Sequence, residues 1–454
     1  MLKIKKNKNT LGGVDVGSPI IRQALIYSIT DGIFASIMCA LAETFSIPAA
    51  VRLKAPPLTI ALLSSAPILI GSLGQYFLPL FLDKNKTRKY YVVPGVRIQA
   101  TFLIITALSG WFPSCVNLWL YIISFILYGA TGNLFTAIWT SWIRDCIPQD
   151  VRGRHFAWRN RIISITQLLC AVIVGIISRK YDSQNAPWIL FAFIFFSASL
   201  FRFGSAFFLS KQYEPQPSNL PDKIDVINFK PSKLLLKFCI AIAMLQGSTA
   251  ITSPFFNVWF LRDLKFDYLT FTISTSCTIL GTILLVPLWG RLIDHIGTSQ
   301  VLRLTGLLCA VVPLPYLINW HPFSIWLFNF YSGIAWGGFN IASLNYLLYI
   351  SEREKSNHCI AFYSAIVSII VFLFSVLGGF LATRIPTFFT YQLQSLFFIS
   401  SLLRLATVFV FFKMFRQEEI KVLSNTIELV NEPTGYKIGM ELIKQLFRLK
   451  KKED

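Results

Sequence analysis

Two acidic residues lie within the first long apolar stretch of the chain, and they are the side chains most able to carry chemistry. The stretch SITDGIFASIMCALAETFSIP (28–48) contains Asp31 and Glu43. If it crosses a lipid bilayer as a helix, each charge costs at least about 2.5–3.5 kcal/mol and therefore needs a function or a partner. The two side chains would lie about 18 Å apart along the axis, at 1.5 Å per residue. They cannot share one proton or one small ligand.

Each acid has a functional and a structural interpretation. Glu43, expected in the outer third of the membrane, is interpreted as a substrate-binding or proton-coupling carboxylate; the alternative is a hydrated residue held by Arg52. Asp31 is expected in the cytoplasmic third, where Arg202 or Arg97 could neutralise it. A structural ion pair therefore competes with a coupling role for Asp31.

Other kinds of chemistry have little support in the sequence. The eight cysteines show no CxxC spacing, and no GxxxxGK[ST] motif is present, which argues against ATP-driven transport. The four histidines fall at connectors, without the clustered nucleophile, base or metal set that an enzyme would need: His155, His295, His321 and His358. We therefore expect no enzymatic active site, no metal and no cofactor.

Long apolar helices must position these charges. The chain is 54% hydrophobic and 14% charged, whereas an average soluble protein is roughly 25% charged. Runs of about 20 apolar residues, each long enough to cross a ~30 Å hydrocarbon core, recur along the whole length. The sequence predicts an all-α polytopic membrane protein with twelve transmembrane helices, near 23–50, 57–82, 91–111, 117–143, 161–178, 187–210, 235–260, 268–289, 302–319, 323–350, 359–382 and 391–412.

The net charge of +20 follows the topology that these helices require. Lysines and arginines concentrate in the N-terminal tail, in every second connector and in the C-terminal LFRLKKKED, whereas the opposite connectors hold few. This is the positive-inside pattern, so both termini are expected in the cytoplasm and the net charge indicates no nucleic-acid partner. The N-glycosylation sequon Asn85-Lys86-Thr87 falls on the expected cytoplasmic side, and no sequon falls on the opposite side. We therefore expect a plasma membrane, in particular a bacterial inner membrane.

The chain also repeats itself at half its length. YGATGNLFTAIWTSW (128–142) aligns with SGIAWGGFNIASLNY (332–346), and FFSASLFRFGSAFFLSK (195–211) aligns with FFISSLLRLATVFVFFK (397–413). The second alignment places Arg202 on Arg404, which suggests a shared structural task; Arg97 is expected to extend toward the membrane surface. The predicted division is a tail (1–22), a six-helix bundle (23–210), a linker (211–234), a second six-helix bundle (235–414) and a tail (415–454).

The connectors resemble those of the major facilitator superfamily of secondary transporters. GRLIDHIGTSQV (290–301) is similar to the family's loop motif, with two glycines around an aspartate. LDKNKTRKYY (82–91) keeps the aspartate and the basic residues but lacks both glycines, and RDCIPQDVRGRHFAWRN (144–160) resembles the family's loop after the fourth helix. The resemblance covers roughly residues 20–415 and does not identify a subfamily.

The resemblance implies that these loops close the cytoplasmic side while the central cavity faces outward. On this interpretation, Asp145 accepts a basic residue from the 82–91 loop; the alternative is that the arginines only set the topology. The gate residues so implied are Asp83, Arg88, Asp145, Arg152, Arg154, Gly290, Arg291, Asp294 and Gly297. The helices implied to line the cavity carry polar and aromatic candidates for solute binding, for which interhelical hydrogen bonding is the alternative use: Asn133, Trp139, Gln246, Asn257, Trp336 and Asn340.

The sequence therefore predicts a monomeric secondary transporter that moves a small solute across the bilayer by alternating access. Proton symport through Glu43 is preferred to uniport. A transporter-like sensor or adaptor using the tail at 415–454, or a membrane-embedded enzyme, would be the alternatives. The identity of the solute does not follow from the sequence.

Overall fold

A computed structural model describes residues 10–11, 14–15, 19–83, 86–147, 152–181, 186–215, 229–318, 320–351 and 356–423. Apart from a two-residue antiparallel ladder between β1 (Thr10–Leu11) and β2 (Val14–Asp15), the regular structure of these residues is helical. This confirms the all-α class. The chain divides into a unit that ends at Val408 and a second unit from Phe409 onward; the contacts below all lie in the first.

The helices follow the apolar runs closely. In the described residues they are α1 (Pro19–Arg52), α2 (Pro57–Phe77), α3 (Arg88–Leu108), α4 (Ser114–Cys146), α5 (Arg152–Ser178), α6 (Trp188–Lys211), α7 (Lys233–Ala250), α8 (Ser253–Val258), α9 (Tyr268–Ile296), α10 (Thr298–Val311), α11 (Pro322–Ile350), α12 (Ser356–Leu381) and α13 (Gln392–Leu423). A π-helical turn (Trp259–Asp263) extends α8, and 3-10 turns follow α2, α3 and α10 at Leu78–Leu80, Ser109–Trp111 and Leu314–Leu317.

Eleven helical segments of the described chain are long and apolar enough to cross a membrane, with α7, α8 and the π-helical turn forming one segment of 31 residues. The remaining predicted span, α11, is 29 residues long but is not among the eleven. It carries Asn329, Asn340 and Asn345, which lower its hydropathy. Two of the three asparagines bond to the carbonyl four residues earlier, Asn329 to Ile325 and Asn345 to Ile341, so the helix itself satisfies part of their polarity.

Contacts between helix ends define two faces of the bundle. The start of α3 meets the ends of α4 and α6, because Arg88 binds Asp145 and Lys89 Nζ donates to Gln212 O; we call this side the basic face. The end of α1 meets the start of α6 on the opposite side, where Arg52 Nε donates to Ala186 O at 2.6 Å; we call that side the far face.

Helix packing follows the two predicted halves. In the first half, α1 packs on α5 and α6, α3 on α4 and α6, and α2 on α4. In the second half, α9 packs on α11, α7 on α12, and α10 on α11. The halves meet through α2 with α12 and α5 with α9. The domain boundaries proposed from the sequence therefore stay a prediction that helix packing supports.

The named contacts between the halves lie at the far face. The ring of Tyr268, at the start of α9, lies 6.0 Å from that of Phe45 and 5.9 Å from that of Phe191, and its backbone N–H donates to Tyr181 O. On the other side, Ser375 Oγ donates to Ala61 O at 3.2 Å. These contacts join the two halves at the far face.

Glycine allows the closest of these approaches. A Cβ placed on Gly379 of α12 would lie 2.8 Å from Leu58 Cα and 2.9 Å from Ala61 Cβ of α2. A Cβ placed on Gly175 of α5 would come closer still to the Thr272 side chain of α9. Because no L side chain fits in either space without a shift, the far-face closure depends on these two glycines.

Candidate functional site

A cavity of about 280 Å³ lies inside the first half, among α1, α3, α4, α5 and α6. Its wall contains three charged side chains, namely Asp31, Arg159 and Arg202. Gln99 and Trp139 complete the part of the wall nearest to these charges. The cavity therefore combines an apolar surface with a small, charged polar group, which is the composition of a ligand site.

Asp31 is held by neutral and cationic partners together. The residue is 3% exposed, and its Oδ1 accepts a hydrogen bond of 2.6 Å from Ser205 Oγ. Arg159 Nη2 lies 3.8 Å from Oδ2, which is an ion pair too long for a hydrogen bond. Arg159 Nε donates to Ser28 O at 3.1 Å, and the guanidinium lies over the Trp139 ring at 4.8 Å.

Arg202 links the remaining polar groups of the cavity. Its Nε donates to Gln99 Oε1 at 2.6 Å and its Nη1 to Ser205 Oγ at 3.1 Å. Ser205 Oγ in turn donates to Asp31 Oδ1, so arginine, serine and aspartate form a short hydrogen-bonded chain. Arg202 also lies within electrostatic range of both Asp31 and Glu43.

Glu43 lies beyond the cavity, further along α1 toward the far face. It follows Asp31, Ala35 and Cys39 at four-residue intervals, and these three residues line the cavity. Glu43 is exposed, and its carboxyl group lies close to the side chains of Cys39 and Tyr128. An exposed carboxyl group thus lies about 18 Å along α1 from a buried one, at 1.5 Å per residue.

Two expected partners of these acids are corrected by the structure. No ion pair joins Glu43 to Arg52 among the described side chains; Arg52 reaches Ala186 O at the far face. Arg97 is exposed on α3 and does not line the cavity, so the cation in contact with Asp31 is Arg159. The sequence did not identify Arg159 as a site residue, because its contacts depend on how α5 packs on α1.

The repeat partner of Arg202 has different surroundings. Arg404 is 1% exposed and donates only to neutral oxygens in its named bonds, to Ser400 Oγ at 3.2 Å, Cys309 O at 3.1 Å and Thr252 Oγ1 at 3.0 Å. The two arginines keep equivalent positions in their halves, but Arg202 lies beside a carboxylate and a cavity. The expectation of one shared structural task stays a prediction, and it fits Arg404 better.

A charged cluster at the basic face ties α3, α4 and the segment after α6 together. Arg88 Nη1 lies 2.7 Å from Asp145 Oδ2, and Arg144 Nε lies 3.5 Å from Oδ1. Asp145 therefore pairs with a basic residue of the 82–91 loop, as expected. Glu214 accepts the backbone N–H groups of Arg88 at 2.7 Å and Lys89 at 3.1 Å, which satisfies the start of α3 with an anion.

Glu214 was not recognised in the sequence. The only local signal is its position three residues after α6, and the contact spans 126 residues of chain. Trp142 Nε1 donates to Tyr213 O at 3.0 Å and fixes the same segment. This cluster joins elements of one half, so it braces the loop ends that the gate hypothesis requires to move as one body.

The other predicted gate residues are spread along the basic face. Asp83 is exposed, and its N–H donates to Tyr91 Oη at 2.8 Å. The side chains of Arg152 and Arg154 lie outside the described residues. Gly297 joins α9 to α10 with φ of +88°, a conformation that favours glycine, whereas a Cβ on Gly290 would meet nothing within 4 Å. Arg291 and Asp294 are exposed. The gate role of all these residues stays a prediction.

Of the six polar and aromatic candidates, Trp139 lines the charged cavity. Asn133 is exposed and bonds to Gly129 O of its own helix at 3.0 Å. Gln246 Nε2 donates to Tyr363 Oη at 3.4 Å, which is an interhelical bond. The structure does not bring the other three to this cavity: Asn257 and Trp336 are partly buried, Trp336 against Phe339, and Asn340 is exposed.

A second cavity, of about 430 Å³, lies between the halves at the basic face. The ends of α2 and α4 form one wall and the first turns of α12, from His358 to Ser364, form the other. Arg88 and Arg144 line it. The halves therefore contact each other at the far face, and the second cavity lies between them at the basic face.

The family model described as Major Facilitator Superfamily matches residues 23–237 and again 238–449. Among solved structures, a mutant of the nucleoside transporter NupG is similar at TM-score 0.68 and 15% identity, covering 87% of this chain and 100% of that one. The xylose transporter XylE from E. coli, in a partially occluded inward-open conformation, has a TM-score of 0.63 and 12% identity, with 87% and 98% covered. A D-xylose-proton symporter has a TM-score of 0.63 and 13% identity, with 87% and 97% covered. A search of curated protein sequences finds no match.

Proposed function

This chain belongs to the major facilitator superfamily and is a secondary transporter that works by alternating access, and we propose that it couples the movement of a small solute to protons through Asp31, Arg202 and Glu43. The observation that carries this proposal is the hydrogen-bonded chain from Arg202 through Ser205 to the buried Asp31 beside a cavity, with the exposed Glu43 further along the same helix. Charged groups in membrane interiors commonly mark proton relays and solute paths.

The conformation supports a path that opens at the basic face. The halves touch at the far face through Tyr268, Phe45 and the α2–α12 contact, while a cavity of about 430 Å³ separates them at the basic face. If the basic face is cytoplasmic, as the positive-inside pattern predicts, this is an inward-facing state of a plasma-membrane protein.

Coupling follows from the charge balance around Arg202. With both acids ionised, Asp31 and Glu43 together balance Arg159 and Arg202. A proton on Glu43 leaves Arg202 with Asp31 as its acidic neighbour through Ser205. The groups that face the two acids are Cys39 and Tyr128 at Glu43, and Ser205 and Trp139 at Asp31. Protonation therefore changes the positive charge presented to the cavity, which is how a proton can alter solute binding.

The test begins with a thermal-shift screen of the purified protein against sugars, organic acids, amino acids, nucleosides and lipids, because a ligand at a hundredfold excess over its Kd stabilises by about 2.7 kcal/mol. The compound that stabilises most is then followed into proteoliposomes that contain a pH-sensitive dye. We expect accumulation of that compound together with proton influx.

Glu43→Gln and Asp31→Asn are expected to exchange solute across the membrane without a pH gradient but to lose accumulation driven by the gradient. Asp263→Asn, which neutralises an acid of the far face, is the matched control and should behave as the wild type. If both Glu43→Gln and Asp31→Asn still accumulate solute with protons, the coupling proposal is wrong. If the wild type exchanges solute but moves no protons, the protein is a uniporter.

A further inference from the structure

We infer that the transported solute is a small organic monoanion whose carboxylate is held between Arg159 and Arg202. This inference rests on the proposed transport through the cavity of the first half. The wall of that cavity contains two arginines and one carboxylate, Asp31. A proton on Glu43 removes the charge of the second acid, so the two arginines then exceed the one carboxylate by one positive charge. Unbalanced charge away from water is unfavourable, and a solute that brings one negative charge balances it.

The bonds of the two arginines leave this role open. The bonds of Arg202 to Gln99 and Ser205 both go to neutral acceptors. The Nε of Arg159 goes to a backbone carbonyl, and its ion pair with Asp31 is 3.8 Å long. A guanidinium has five N–H donors in a planar fork that suits carboxylates. Within the described part of the chain, neither arginine makes a short bond to an anion.

Asp31 favours a simple anion over a zwitterion. An amino acid would require an acceptor for its ammonium group, but Asp31 is 3% exposed and already accepts from Ser205. Trp139 and Phe135 give the same cavity flat apolar walls. At about 280 Å³, it is at the small end of ligand pockets, which span about 300–1,000 Å³. The expected solute is therefore a short or singly ringed carboxylic acid.

The approach to the cavity is also cationic. Arg144, at the end of α4, has 45% of its side chain exposed and lines the opening at the basic face, as do Arg88 and His358. Asp145 is the acid that offsets this charge, and Arg88 pairs with it at 2.7 Å. Arg144 lies 3.5 Å from the same carboxylate, so one acid offsets two arginines, and the positive charge that remains at the opening attracts anions toward the path.

The experiment uses the purified full-length protein in lipid nanodiscs and measures binding by calorimetry and thermal shift. The probes are benzoate, lactate and 3-phenylpropionate, each beside its primary amide, together with phenylalanine as the zwitterion. We expect at least one carboxylate to bind at least about tenfold more tightly than its amide and than phenylalanine, because only it forms charge-assisted bonds with the arginines.

Arg159→Gln and Arg202→Gln should each weaken the carboxylate at least about tenfold, and Arg202→Lys should recover part of the loss. Arg97→Gln removes an exposed arginine of α3 outside the cavity and is the matched control. If one glutamine variant fails to fold, the other variant and Arg202→Lys still show whether an arginine binds the carboxylate. The inference is overturned if the amides or phenylalanine bind as tightly, if no carboxylate binds, or if binding survives both glutamine substitutions.

Failure of this inference can be separated from failure of the transport proposal. A neutral compound that accumulates with protons would refute the anion while leaving proton coupling intact. A carboxylate that binds through the arginines but moves without protons would support the solute class and refute the coupling.

Discussion

The ion pair between Arg88 and Asp145 allows a sharp test of how burial sets the strength of such pairs. Asp145→Asn removes the anion and leaves Arg88, whose side chain is 2% exposed, beside a neutral partner. Loss of one partner from a buried pair costs about 3–5 kcal/mol, because the remaining charge is unpaired away from water. The Asp145 side chain is 34% exposed, so we expect a smaller cost, about 2–3 kcal/mol.

The matched control is Asp263→Asn. Arg262 Nε lies 2.9 Å from Asp263 Oδ1, close to the 2.7 Å of the Arg88 pair, but the Arg262 side chain is 48% exposed. Arg262 therefore remains hydrated when its partner is lost, and the expected loss of unfolding free energy is below about 1 kcal/mol. The two substitutions are chemically identical and differ mainly in the burial of the cation that they leave.

Unfolding by SDS in mixed micelles, followed by tryptophan fluorescence, measures both variants against the wild type. The expected difference between them, about 1–3 kcal/mol, corresponds to roughly 5- to 140-fold in the unfolding equilibrium, at 1.4 kcal/mol per tenfold. Equal losses for the two variants would refute the argument from burial. A loss confined to Asp263→Asn would show that the basic-face cluster does not stabilise the first half.

Two further predictions concern the state and orientation of the transporter. Gly379→Leu should separate α2 from α12 at a cost of about 1–3 kcal/mol to the far-face closure, so labelling of Ala61→Cys by an impermeant maleimide should rise several-fold. Gly290→Leu is the control, because an added Cβ there would meet nothing within 4 Å, and labelling should stay unchanged. Unchanged labelling in both variants would show that the glycine contact does not close this face. In intact cells the same reagent should label Lys54→Cys, which is exposed at the far face, and should label Lys86→Cys only after permeabilisation. The reverse pattern would show that the topology is opposite to the proposed one.

The architecture could be read from the sequence because it depends on local composition. Apolar runs long enough to cross a bilayer, together with the distribution of lysine and arginine, predict helix number and orientation without knowledge of any tertiary contact. The helix bounds confirm most of the predicted spans, and the two family matches agree with the repeat, whereas the orientation stays a prediction. The pairing of Asp145 with the 82–91 loop was also within reach, since both lie at connectors that the topology brings to one face.

The candidate site depended on packing that no local pattern encodes. Arg159 reaches Ser28 O across 131 residues, and Glu214 reaches the start of α3 across 126. Arg202 and Arg404 align in the sequence, yet one borders a cavity and a carboxylate while the other binds neutral oxygens. The chain itself determined which charges enter the membrane. Only the tertiary structure decided which of them meet, because that depends on the rotation and depth at which the helices pack.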